Sequence, residues 1–139
     1  MSGGYEYFDV EADVGVRAWG ATLAEAFARA AQGVLALTIA PDEVQERERR
    51  EVRAQGDSAE DLLVSWVNEC LYVHEVEGFA VRHVEVTSLA GGVVHGLLHG
   101  EMIDPLRHRL GTVVKAATYH RVAVSESPGR AEVALIVDV

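Results

Sequence analysis

The sequence predicts an α+β fold in a single domain spanning residues 1–139, with two amphipathic helices covering one face of a largely antiparallel sheet. Three observations lead there. Apolar residues recur at helical spacing in two segments, each opened by a capping pair. The other apolar residues alternate in short runs, the pattern of half-buried strands. Most of those runs are joined by turns too short for a parallel crossover, so the order reads β-β-α-β-α-β-β-β-β.

Tyr5 to Val10 reads as a first strand, followed by an acidic turn crowded with Asp9, Glu11 and Asp13. Val14, Val16 and Ala18 alternate with Gly15, Arg17 and Trp19 in a second strand that ends at Gly20. Thr22 and Glu25 form a capping box, and Leu23, Ala26, Phe27, Ala30, Ala31, Val34 and Leu35 mark a helix over about Thr22–Ile39, bounded by Pro41. Asp42 to Arg50 is dense in charge and reads as a solvated loop or strand edge, with a strand over Glu51–Gln55. Ser58 and Asp61 open a second helix over about Ser58–Val76. Its stripe is Leu62, Leu63, Trp66, Val67, Cys70 and Leu71, and Gly78 is the stop signal. Trp66 and Phe27 are expected in the core.

From Phe79 the pattern is β. Phe79 and Val81 share one phase and Val84 and Val86 the other, which predicts a bulge near Arg82. Ala90-Gly91-Gly92 is a hairpin turn into a strand over Val93–Met102, broken by Asp104-Pro105. Val113–Ser125 and Arg130–Val139 form the last pair, joined through Ser127-Pro128-Gly129.

Twelve basic and twenty-two acidic side chains leave a net charge of −10. Such a surface repels phosphate backbones, so tight direct binding of nucleic acid is not expected. One cysteine, Cys70, excludes a disulfide framework and a cysteine-rich zinc site, and its place in a helix stripe marks a buried thiol. No apolar run is long enough for a bilayer, and Met1 to Tyr7 lacks the basic and then apolar start of a signal peptide; a cytoplasmic protein is expected. Eleven of the twelve cations are arginine, which leaves Lys115 as the single lysine.

Six histidines raise the question of a metal. His95 and His99 share a strand face but stand on the order of 13 Å apart, too far to grip one ion. His74 suits the negative end of its helix, and His83 has no evident partner. No Ser-His-Asp order, Gly-rich phosphate loop or His-Glu-x-x-His pattern is present. The carboxylates say more. Asp138 ends the apolar strand Val133-Ala134-Leu135-Ile136-Val137, next to the last residue, Val139. If that strand lies beside the first hairpin, Asp138 and the terminal carboxylate meet Asp13 in an all-oxygen set suited to Ca²⁺ or Mg²⁺. The plainer alternative is that these acids solvate turn ends.

Five segments, in order along the chain, resemble the archease family. They are Tyr5-Glu6-Tyr7-Phe8-Asp9 with Ala12-Asp13-Val14-Gly15, Ala18 to Phe27, Asp61 to Glu69, Val114-Lys115-Ala116-Ala117-Thr118-Tyr119-His120, and Ile136-Val137-Asp138-Val139. The resemblance implies an archease-like fold and an accessory role rather than an enzyme. Its partner would be an RtcB-type RNA ligase of tRNA splicing, whose guanylylation and multiple turnover it would promote. It also implies a divalent-metal site at Asp13, Asp138 and Val139, with Ca²⁺ favoured and Mg²⁺ an alternative. Where the family's first motif usually reads Asp-His-Thr-Ala-Asp, this chain has Asp9-Val10-Glu11-Ala12-Asp13, replacing a histidine and a threonine and adding a carboxylate. Lys115 lies inside a matching segment and is either a surface lysine or a contact to an acid or phosphate of the ligase. Two other functions compete: a metal-dependent phosphoester hydrolase, and a general chaperone or interaction module.

Overall fold

The structure is a computed structural model and describes residues 3–139. Its elements follow the expected order: β1 (Gly4–Val10), β2 (Asp13–Gly20), α1 (Leu23–Ala36), β3 (Glu48–Gln55), α2 (Ala59–Glu77), β4 (Phe79–Ala90), β5 (Val93–Met102), β6 (Ala116–Ser127) and β7 (Arg130–Asp138). All strand pairings are antiparallel, and the fold is α+β as the patterning requires.

The strands divide into two sheets rather than one, a four-stranded sheet in the order β1-β2-β7-β6 and a three-stranded sheet in the order β3-β5-β4. Each helix packs against strands of both sheets, and one core cluster joins all four parts. This explains the composition of α1. Ala26, Phe27, Ala28, Ala30, Ala31, Gly33, Val34 and Leu35 are all buried, because a helix between two sheets needs apolar residues on both sides and small ones for close approach. Trp66 and Phe27 are fully buried, and the Trp66 indole N–H donates to the Phe27 carbonyl at 2.9 Å, tying α2 to α1. Gly96 makes room for the ring, since a Cβ there would run into it.

Both capping pairs form. The Thr22 hydroxyl accepts from the Glu25 N–H while the Glu25 carboxylate accepts from the Ala21 N–H. Ser58 accepts from the Asp61 N–H, and Asp61 accepts from the Asp57 N–H. Gly78 ends α2 at φ 66° and donates to the His74 carbonyl. Gly91 and Gly92 both take positive φ in the β4–β5 turn, and the β4 register shifts between Val81 and His83, at the expected bulge.

Three boundaries move. Helix α1 stops at Ala36 rather than Ile39, because Ile39 leaves the helix to bridge Leu110 and pack with Val44 and Ala80. Strand β3 begins at Glu48, its charges tolerated on the solvent side of an edge strand, and Pro41–Glu43 is a single 3₁₀ turn. Strand β6 begins at Ala116 rather than Val113, because the N–H groups of Gly111 and Thr112 are drawn to the carbonyls of Thr38 and Leu37.

The helices also close one edge of each sheet. The Gln32 side chain of α1 donates to the Arg82 carbonyl and accepts from the Val84 N–H of β4. The Asn68 side chain of α2 accepts from the Ala117 N–H at 2.8 Å and donates to its carbonyl at 3.4 Å. An amide supplies one donor and one acceptor, which is what an unpaired edge residue lacks.

Candidate metal centre

The β1–β2 hairpin turns through Glu11 and Ala12, with Ala12 at φ 65°, and sets Val10 opposite Asp13. Strand β2 runs antiparallel to β7 with Asp13 opposite Asp138, and β7 pairs with β6 with Asp138 opposite Ala116. Residues near the two ends of the chain thus stand in one row across four strands. Side chains directly opposite in a ladder share a face, with Cβ atoms about 5 Å apart, and like charges so placed repel. Both aspartates are partly exposed, and among the described residues neither has an ion-pair partner.

That geometry fits a hard cation between two carboxylates. Val139 follows Asp138 directly and is 38% exposed. No group of three His, Cys, Asp or Glu side chains able to hold a metal occurs among the described residues, so a site here would draw on Val139 besides the two aspartates. The crowding expected among Asp9, Glu11 and Asp13 is relieved by strand alternation. Asp9 lies opposite Val14, on the other face of the sheet from Asp13, and Glu11 lies in the exposed turn.

Lys115 sits just before β6, where its backbone N–H donates to the Asp138 carbonyl at 2.8 Å. Its side chain is exposed and makes no ion pair among the described residues. Two residues on, Ala117 is clasped by Asn68, and the Tyr119 hydroxyl donates to Asp61 at 2.6 Å. That bond, followed by the Asp57 N–H, holds the Asp61 carboxyl below its ordinary range. The resembling segments Asp61–Glu69 and Val114–His120 therefore meet in space, and much of their shared content is the docking of β6 on α2.

The histidines divide otherwise than expected. His83 does have a partner, stacking on His99 with ring centroids 5.7 Å apart, and His99 reaches Glu85 at 3.1 Å. Burial and the neighbouring Arg29 charge lower the His83 pKa. His74 turns its Nδ1 to the Phe79 carbonyl at 3.0 Å.

Sequence reasoning missed a buried polar knot. Glu101 is 3% exposed and accepts from Arg107 at 2.7 and 3.3 Å, from the Gln45 N–H at 2.9 Å and from His108 Nε2 at 3.0 Å, with Arg47 at 3.3 Å. His108 Nδ1 accepts the Asp104 N–H, so Nε2 carries the ring proton and donates it to Glu101. This knot anchors the connection from β5 to β6, whose far end reaches Asp138 through Lys115. The sole local signal was an acid six and seven residues ahead of Arg107 and His108.

Comparison with known proteins follows the same outline. Residues 5–139 match the archease protein family. A Pyrococcus abyssi archease is 32% identical over 97% of this chain and 98% of its own length, and one from Pyrobaculum calidifontis is 36% identical over 97% and 95%. The solution structure of Methanobacterium thermoautotrophicum protein 1598 superimposes with a TM-score of 0.79 at 28% identity, covering 98% of this chain and 99% of that one. No helix among the described residues is long and apolar enough to cross a membrane.

Proposed function

The chain belongs to the archease family, and from that premise we propose that it is an accessory protein of an RtcB-type RNA ligase, promoting guanylylation and repeated turnover through a divalent-metal site at Asp13, Asp138 and Val139. The observation that carries this reading is the opposition of Asp13 and Asp138 in one ladder row, with no ion-pair partner for either among the described residues. Two uncompensated carboxylates so placed cost stability unless an ion joins them. The bound ion would remove that repulsion and leave coordination positions for a partner's oxygen atoms. Ca²⁺ is favoured because its six to eight oxygen ligands tolerate a flexible, three-donor site better than the strict octahedron of Mg²⁺.

A charge of −10 suits an encounter with a basic, RNA-binding enzyme and disfavours independent binding to RNA. The role is that of an activator rather than a catalyst: the ladder neighbours of the aspartate pair on its own face, Val10, Ala116, Gly15 and Ile136, carry no titratable side chain. The test is guanylylation of the cognate ligase at limiting ligase, with and without this protein. Faster guanylylation and more than one turnover are expected, and Asp138→Asn should abolish the gain and the metal affinity together. An unchanged ligase in the presence of the metal-loaded protein would refute the proposal.

A further inference from the structure

On the outer face of the four-stranded sheet, one row along from Asp13 and Asp138, Gly15 lies opposite Phe8 on one side and Ile136 on the other. The Phe8 ring occupies the place a Cβ of residue 15 would take. Two guanidinium groups cover that ring, Arg17 at 5.0 Å and Arg121 at 5.9 Å from its centroid. Arg121 arrives from an irregular stretch of β6, where the register jumps from Thr118 opposite Ile136 to Ala123 opposite Ala134. Arg121 itself takes φ 55°. The stretch folds over the outer face, and Ile136, although it points outward, is 1% exposed.

The charges of the two arginines differ in their use. Arg17 reaches Glu6 at 3.4 Å, whereas Arg121 has no carboxylate partner among the described residues. Successive rows on one face of a strand are about 7 Å apart, so the Phe8 ring over Gly15 stands one row from the aspartates, and Arg17, two rows away on its strand, reaches back to that ring. A phosphoryl group with one oxygen on a divalent ion and another on a guanidinium spans about 6–7 Å.

We propose that Arg121, assisted by Arg17 on the Phe8 platform, binds the phosphoryl group of a nucleotide-sized ligand whose other oxygens face the ion at Asp13 and Asp138. The inference rests on the metal site of the proposed function and deepens it. Guanidinium offers a fork matched to phosphate, and the aromatic ring holds that fork in place without neutralising it. The net charge of −10 selects a small phosphate ester over a nucleic-acid strand.

The test is calorimetric titration of a nucleoside 5′-monophosphate into the Ca²⁺-saturated protein, with the unphosphorylated nucleoside as control and Ca²⁺ affinity measured separately. The monophosphate should bind only with the metal present, and the nucleoside should not. Arg121→Asn, which tolerates the positive φ, and Arg17→Gln should each weaken monophosphate binding, about tenfold or more for Arg121, the loss expected for a charge-assisted hydrogen bond. Both should keep Ca²⁺ affinity within about twofold, because neither arginine is a ligand to the ion. Monophosphate binding that survives both substitutions, or none at all by a protein that binds Ca²⁺, overturns this inference and leaves the metal site standing. Failure to bind Ca²⁺ overturns both. Tighter binding of a 3′-phosphorylated oligoribonucleotide than of the monophosphate overturns the choice of a small ligand.

Discussion

Replacing Glu101 by glutamine should destabilise the protein at neutral pH and do nothing in strong acid. Every partner of this carboxylate is a donor: Arg107, the Gln45 N–H, His108 Nε2 and Arg47. An amide of the same shape turns two more donors into a pocket that has only donors, and the loss is a charged acceptor rather than volume. Hydrogen bonding from Arg107 is the largest cause that lowers the Glu101 pKa, from 4.5 to about 2. Taken whole, that drop is worth about 3.4 kcal/mol. Arg47 and Arg107 are 64% and 42% exposed, so solvent screens part of it, and about 2 kcal/mol is the working figure. A folded-state pKa below the unfolded one gives stability that is full above about 4.5 and is lost as the pH falls through about 2. Urea unfolding of the parent and Glu101→Gln at steps from pH 7 to pH 2 reads this directly, since the other carboxylates cancel in the difference. A gap of about 2 kcal/mol at pH 7, or roughly 6–8 °C in Tm, should close toward zero at pH 2. A gap that stays constant across that range, or no gap at pH 7, would show that the knot does not hold the fold through this charge.

Asp9→Asn should leave Ca²⁺ affinity nearly intact while Asp13→Asn removes it, because strand alternation puts Asp9 on the opposite face of the sheet from Asp13 and Asp138; equal losses by calorimetry would contradict the register. Adding one residue after Val139 should weaken Ca²⁺ binding if its carboxylate is a ligand, and unchanged affinity would remove Val139 from the set. Asn68→Ala should cost about 1–3 kcal/mol in urea unfolding by orphaning the Ala117 N–H and carbonyl; a cost near zero would mean that water serves that edge equally well. Lys115→Ala should reduce ligase activation with almost no change in Tm, since its exposed side chain makes no ion pair among the described residues; intact activation, or a collapse of stability, makes Lys115 structural.

The order of elements was legible because its signals are local. Capping pairs such as Thr22–Glu25 and Ser58–Asp61 lie within one turn, and the glycines at 78, 91 and 92 announce their own backbone geometry. The division into two sheets was not legible, because alternation tells which residues of a strand face inward and nothing about which strands are neighbours. A helix stripe has the same limit. The residues of α1 satisfy a one-sided pattern, yet Ala28 and Gly33 are buried too, and their small size is the trace of a second packing face. Gln32 and Asn68 read as ordinary polar residues on helices, and only the fold turns them into edge clasps.

The candidate centre shows how far composition alone reaches. The acids of the first turn are three in sequence and one in space, because a strand sends successive side chains to opposite faces. Asp138 looked out of place at the end of an apolar strand, and that oddity was the useful signal: Ala131, Val133, Leu135 and Val137 fill the inward positions, so the even positions must take the other face. What no local pattern held was the neighbourhood of β2 and β7, which sets Asp13 beside Asp138 and Arg17 beside Ala134 on the same surface. The pairing of the two carboxylates depends on that register alone, and a one-residue slip of β7 would send Asp138 to the helix side and dissolve the pair, while Arg17 keeps its place on β2 beside Phe8. The inward apolar positions of β7 hold that register, so the geometry of the centre is set by packing in the core rather than by its own charges.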